Sequence, residues 1–243
     1  MMFRQGLKSF VFVAALLAVQ TVAQAQYVVS GRVLEDVNGN GILDASDTNG
    51  VNGATIILTG GSLVPQVVFD VAGTGYYSFT NIPAGTYTIN HFPPNLDWVY
   101  TSPSNGHLQV TLSGSDSTTN NFLDANPTTV GGWVRLDVNG NGAVDLEDTN
   151  SIVGATLELL DTNGVVKAVT LSTSATGQNY SFAGVLPGQY SIREIDPIGY
   201  HSSTQTGGGT NNLISVTVLS STPNLTNNFY DTLPIGAIGG GSP

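Results

Sequence analysis

The feature that most limits how this chain can fold is an internal repeat. Gly31-Arg32-Val33 recurs as Gly132-Trp133-Val134, and Val51-Asn52-Gly53-Ala54-Thr55 as Ile152-Val153-Gly154-Ala155-Thr156, each 101 positions on (132 − 31 and 152 − 51). Tyr77-Ser78-Phe79 returns as Tyr180-Ser181-Phe182, and Gly85-Thr86-Tyr87-Thr88-Ile89 as Gly188-Gln189-Tyr190-Ser191-Ile192, 103 positions on (180 − 77). Thr119-Asn120-Asn121-Phe122-Leu123-Asp124 matches Thr226-Asn227-Asn228-Phe229-Tyr230-Asp231 at 107 (226 − 119). Such drift is what small insertions in loops produce, at little entropic cost. Two tandem domains follow, 26–126 and 127–234. The junction, Ala125-Asn126-Pro127-Thr128-Thr129, is short enough to hold them close together. The Gly-rich residues 235–243 read as a flexible tail.

Inside each repeat the hydrophobic period is two. Tyr76-Tyr77-Ser78-Phe79, Leu108-Gln109-Val110-Thr111-Leu112 and Ile214-Ser215-Val216-Thr217-Val218 alternate as strands do. Turn residues such as Gly60-Gly61, Pro83-Ala84-Gly85 and Ser104-Asn105-Gly106 punctuate them, and no stretch beyond the leader carries a sustained helical stripe. About seven short strands per repeat predict an all-β fold of two tandem Greek-key, immunoglobulin-like β-sandwiches.

The N-terminus reads as a secretory leader, residues 1–25. Arg4 and Lys8 precede an apolar run from Phe10 to Val19, and Ala23-Gln24-Ala25 offers small residues for cleavage. The run is short for a bilayer span, so no membrane span is expected in a mature chain starting at Gln26; the alternative is an uncleaved N-terminal anchor. Beyond Ala25 the chain keeps all seventeen acids and four of six Lys and Arg residues, a net charge of −13 (4 − 17). That surface argues against nucleic acid and against anionic membranes. With no cysteine, a secreted domain of this size has no disulfide to stabilise it, and bound metal is the other common staple.

Eight of the seventeen acids (Glu35, Asp36, Asp44, Asp47, Asp137, Asp145, Glu147 and Asp148) crowd into two short segments that would repel themselves without a cation. Each segment is a twelve-residue loop. In the first, Asp36, Asn38, Asn40, Asp44 and Asp47 place side-chain oxygens at positions 1, 3, 5, 9 and 12, with Gly41 at position 6. In the second, Asp137, Asn139, Asn141, Asp145 and Asp148 do the same around Gly142. At position 7, Ile42 and Ala143 would contribute a backbone carbonyl. That spacing lets one loop wrap a calcium ion, and oxygen-only donors favour Ca²⁺ over zinc or copper. Strand-like rather than helical flanks make this an EF-hand-like ligand pattern on a β scaffold. Both copies also end in aspartate where that pattern has glutamate. The competing reading is an Asn/Asp/Gly turn, because the same residues form turns; two copies in one register favour the metal. Asp47-Thr48-Asn49 and Asp148-Thr149-Asn150 either add a ligand or simply turn the chain.

The pattern Gly-x-Val-x-x-Asp-x-Asn-x-Asn-Gly-x-x-Asp followed by Gly-Ala-Thr resembles the calcium-binding B domains of the serine-aspartate repeat adhesins. Those are related to the collagen-adhesin B-type, prealbumin-like sandwich. Tyr190-Ser191-Ile192-Arg193-Glu194-Ile195-Asp196-Pro197-Ile198-Gly199-Tyr200 is similar to a Tyr-x-x-x-Glu-x-x-Pro-x-Gly-Tyr stretch common there. The resemblance implies prealbumin-like sandwiches serving as Ca²⁺-rigidified spacers in surface proteins. It departs at Asn90-His91-Phe92-Pro93-Pro94, which stands where the second repeat has Arg193-Glu194-Ile195-Asp196-Pro197. Related sandwiches form a Lys–Asn isopeptide bond beside an acidic residue. Lys167, the lysine of the mature chain, lies past the first strand of its domain, so Glu194 lacks that partner.

Catalytic constellations do not emerge. His91, His107 and His201 share no metal-ligand spacing, and no Gly-x-Ser-x-Gly elbow follows a strand. Trp98, Tyr100 and Trp133 read as core aromatics. The expectation is a secreted or cell-surface, non-enzymatic spacer with calcium as its partner. The alternatives are an adhesin, a glycan-contacting module, or a filament subunit that lends an edge strand to other copies of itself or to other extracellular proteins.

Overall fold

The computed structural model describes residues 24–234; most of the leader and the whole of the tail lie outside the described residues. The first repeat contributes eight strands: β1 (Gln26–Glu35), β2 (Thr55–Gly60), β3 (Gln66–Phe69), β4 (Tyr76–Pro83), β5 (Gly85–Phe92), β6 (Val99–Ser102), β7 (His107–Leu112) and β8 (Phe122–Ala125). The second contributes nine: β9 (Thr128–Gly132), β10 (Val134–Leu136), β11 (Thr156–Asp161), β12 (Val166–Leu171), β13 (Tyr180–Val185), β14 (Gly188–Ile195), β15 (His201–Gln205), β16 (Leu213–Val218) and β17 (Phe229–Thr232). No helix occurs among the described residues, and none is long and apolar enough to cross a membrane.

Each repeat is a β-sandwich. In the first, the sheet β4-β1-β8-β6 faces the sheet β3-β2-β5-β7. The second repeats the plan, with β13-β9 and β10-β17-β15 on one side and β12-β11-β14-β16 on the other. The first and last strands of each module run parallel, Val33 to Glu35 beside Phe122 to Asp124 and Val134 to Leu136 beside Phe229 to Asp231. The strand count exceeds the seven expected partly because the opening strand of the second repeat breaks at Trp133. Its N–H bonds the Asn228 side chain instead of a neighbouring strand.

Alternation fills the cores. Along β5, Tyr87, Ile89 and His91 point inward between exposed or half-buried neighbours. Ile214, Val216 and Val218 do the same along β16. Val29, Val33, Ile56, Leu58, Phe79, Ile89 and Phe122 form the first core. Val130, Val134, Leu157, Phe182, Ile192, Val216 and Phe229 form the second. Each such side chain contributes about 1.5–3 kcal/mol by leaving water. Buried Tyr77 donates its hydroxyl to the carbonyl of Asn120 at 2.6 Å, and Tyr180 donates equivalently to Asn227. The glycine that opens each repeat is demanded by close packing: a methyl on Gly31 or Gly132 would lie 2.0 Å from the Asn120 or Asn227 carbonyl oxygen.

Candidate metal centre

Each acidic loop leaves the first strand of its sandwich at the end where the chain exits. Asp36 N donates to the Asp124 carbonyl and Asp137 N to the Asp231 carbonyl, so both loops are tied to the last strand. Asp36 and Asp137 are fully buried. Asp36 accepts backbone N–H bonds from Gly39 at 2.8 Å, Asn40 at 3.2 Å and Gly41 at 2.8 Å. Asp137 takes the same three from Gly140, Asn141 and Gly142 at 2.8, 3.3 and 2.9 Å. Gly41 and Gly142 have the positive φ that the turn requires, +69° and +73°. At the far end, buried Asp47 accepts from Val37 and Asp44 N–H groups, and Asp148 from those of Val138 and Asp145. Positions 1 and 12 therefore pin the loop to its own backbone.

The polar side chains between them are exposed or, at Asn38 and Asp145, half-buried. Asn38 and Asn40 donate their amide hydrogens to Asp44 at 2.8 and 3.2 Å, while their oxygens accept the N–H groups of Asn40 and Ile42. Asn139 and Asn141 treat Asp145 alike, at 3.0 and 2.7 Å. Ile42 and Ala143, the position-7 residues, are exposed. Hydrogen bonds from Ser46, then from Asn38 and Asn40, hold exposed Asp44 down to about 2. For Asp137, burial raises the carboxyl, but bonds from Ser203, Gly142, Gly140 and Asn141 outweigh it and leave a net lowering. The Ser203 hydroxyl contact to Asp137 has no counterpart signal in the sequence, because Ser203 lies on a strand remote from the loop.

The first loop also touches the second module. The Val37 carbonyl accepts the N–H of Ser220, and the Gly39 Cα sits so close to Pro187 that a Cβ would be 2.6 Å from its carbonyl oxygen. Asn126 N donates to the Ser220 hydroxyl, and Ser221 N to the Asn126 carbonyl.

A second acidic grouping lies inside the other module. Glu194, Asp196 and Asp231 bring one carboxylate oxygen each within 4.8 Å of one another. Among the described residues these three acids meet that condition, and they stand outside both loops. Glu194 and Asp231 are 3% and 0% exposed, and no donor among the described residues hydrogen-bonds either carboxyl. Burial, then the nearby Asp231 and Asp196 charges, push Glu194 far above the usual carboxylate range. Burial and Asp196 raise Asp231. Half-buried Asp196 accepts from Asn212 and Ser202. Lys167 reaches Asp161 at 4.0 Å on the half-exposed edge, away from Glu194.

The paired loops at equivalent places in two sandwiches set the frame for comparison. A family model described as the SdrD B-like domain matches residues 27–126 and again 128–229. The chain belongs to the SdrD B-like domain family. Over 228 residues this SdrD B-like pair is 29% identical to serine-aspartate repeat-containing protein D of Staphylococcus aureus (strain Newman), covering 88% of this chain and 17% of that protein. It is 27% identical to serine-aspartate repeat-containing protein F of Staphylococcus epidermidis over 227 residues, covering 85% and 13%. The chain spans less than a fifth of the length of these relatives. Two solved structures are similar: the Bacillus anthracis TIE protein (13% identity, 86% of this chain and 34% of that chain, TM-score 0.37) and GBS52, the minor pilin of Streptococcus agalactiae (14%, 89% and 98%, TM-score 0.33). Likenesses this faint add nothing to the fold described above.

Proposed function

We propose that this SdrD B-like pair is a non-enzymatic, extracellular or cell-surface spacer whose two loops hold Ca²⁺ and thereby stiffen it. The observation that carries the reading is the twin loop, in which two buried aspartates fix the backbone while a third carboxylate and two asparagines stay at the mouth. Asp36, Asn38, Asn40, Asp44 and Asp47 would hold one ion with the Ile42 carbonyl. Asp137, Asn139, Asn141, Asp145 and Asp148 would hold the other with the Ala143 carbonyl. All are oxygen donors, suited to a hard cation. A bound ion would replace the asparagine amides that now neutralise Asp44 and Asp145. Because Val37 and Gly39 rest on Ser220 and Pro187, order in the first loop passes directly to the junction between modules.

Linkage supplies the energy. An ion at about 100 times its Kd adds about 2.7 kcal/mol to a folded site, a large share of the margin of a domain this size. Calorimetry on the secreted chain should detect calcium uptake, and Asp44→Ala and Asp145→Ala should each remove part of it. No uptake at millimolar calcium would overturn the reading.

A second reading, a contact surface for other extracellular proteins, glycans or further copies, is favoured by one repeated feature. Phe69 and Phe92 flank Thr55 on the outer face of the first sandwich, and Leu171 and Ile195 flank Thr156 at the matching place in the second. All four apolar side chains are exposed. Binding to a glycan or matrix-protein array that Phe69→Ser and Leu171→Ser abolish would support it; unchanged binding would not.

A further inference from the structure

The two modules settle the same buried position in opposite ways. In the first, His91 on β5 reaches across the core to Asp124 on β8, with Nε2 3.1 Å from Oδ2 and both side chains wholly buried. The pair joins one sheet to the other, and the imidazole gives the carboxylate a partner able to carry positive charge. The repeat alignment puts Glu194 where His91 stands and Asp231 where Asp124 stands. The base has been exchanged for an acid. A third acid, Asp196, has also replaced Pro93 at the rim.

This arrangement is costly as it stands. Two carboxyls face each other out of water without a hydrogen-bond donor, and an uncompensated buried charge is among the most expensive features a core can carry. Burial raises both groups, and the charges of neighbouring acids add to it, Asp231 and Asp196 acting on Glu194 and Asp196 on Asp231, so the pocket favours a positive charge. The surroundings favour a metal over a proton alone. A single shared proton would involve Glu194 and Asp231 and give Asp196 no part. Asp196 is half-buried, opens the cluster toward solvent, and is held by Asn212 and Ser202, which bring neutral oxygens beside it.

We propose that Glu194, Asp231 and Asp196 form an inner site for a hard divalent cation, calcium in the first instance, that joins the two sheets of the second module as the His91–Asp124 pair joins those of the first. The donors are all oxygen, which excludes thiolate- or imidazole-seeking metals. The charge of −3 against +2 matches that of each acidic loop. The site is separate from the loops and does not depend on their binding anything.

Native mass spectrometry of the chelator-stripped full chain, titrated with CaCl₂ and in parallel with MgCl₂, counts the ions. The wild type is expected to carry one calcium more than Glu194→His, which copies the first module's pairing. Asp36→Ala and Asp137→Ala are expected to keep that ion, so loss of loop binding and loss of the inner ion are read separately. Asp196→Asn alters a half-buried side chain and leaves the core pair intact. It is expected to weaken the inner site about tenfold or more, since ligand charge sets affinity at such sites. Uptake of magnesium in place of calcium would keep the site and reassign the ion. Equal ion counts and affinities in the wild type, Glu194→His and Asp196→Asn would overturn the proposal and leave a shared proton as the pocket's charge.

Discussion

Replacing Asp36 with alanine separates the two duties of the first loop. The carboxylate is fully buried and accepts three backbone N–H groups, from Gly39, Asn40 and Gly41. Each donor left without its acceptor costs about 1–3 kcal/mol. Gly39 and Gly41 are only half-buried and Asn40 is exposed, so water recovers part of that, and about 1 kcal/mol each is the reasonable figure. The total is about 3 kcal/mol without any metal, which for a domain of about 100 residues corresponds to a fall of about 12–24 °C in melting temperature. The assay is differential scanning calorimetry in chelator, with the second module's transition as the internal reference. Asp44→Ala is the contrast. Asp44 is exposed and its partners are two amides and Ser46, so in chelator it should melt close to wild type. In calcium both variants should lose the ion-dependent gain. An Asp36→Ala chain that melts like wild type in chelator would refute the claim that this carboxylate holds the loop's backbone. Undiminished calcium uptake by Asp44→Ala would refute the loop's role as a cation site.

Gly132→Ala should destabilise the second module by about 3 kcal/mol, because its methyl would lie 2.0 Å from the Asn227 carbonyl oxygen and the backbone must shift; denaturant unfolding reads this directly. Phe79→Ala, at a core position 1% exposed, should cost about 3–5 kcal/mol in the first module and leave the second unchanged. In chelator, stability of the second module should fall as pH rises from about 5 to 8. Glu194 and Asp231 are raised, chiefly by burial, so their protonated forms favour the fold; that stability is complete below the ordinary carboxylate range and is lost as pH climbs through the raised values. The lowered loop carboxyl of Asp137 acts in the opposite sense, losing stability only on acidification below that window. Thermal melts across this range should show the slope in the wild type and a flatter one in Glu194→Gln.

The all-β architecture was legible because inward and outward residues alternate cleanly along strands such as β5 and β16, and because the repeat presents the same strand-and-turn pattern twice. The loop geometry was legible too. Gly41 and Gly142 sit at the one position where twelve-residue spacing demands a sharp turn, and both take positive φ. Less could be read where partners are distant in the chain. Asp124 and Asp231 are the third residues of β8 and β17, in runs (122–125 and 229–231) where every residue is buried and alternation gives no hint of direction. Their partners, His91 and Glu194, belong to the opposite sheet. Ser203 reaches Asp137 in the same way, from another strand. The one available signal was the repeated Asn-Asn-Phe-x-Asp, which set an acid at the same core position twice. The break at Trp133 was hidden because it depends on Asn228, 95 positions away.

The parallel pairing of opening and closing strands decides how each module bears load. Pulling on the two ends of a module draws β1 and β8, or β10 and β17, past one another lengthwise. The rungs between them lie across the pull, so they must yield together instead of one by one, and a chain stretched between two anchors would resist as a whole before either sandwich gave way.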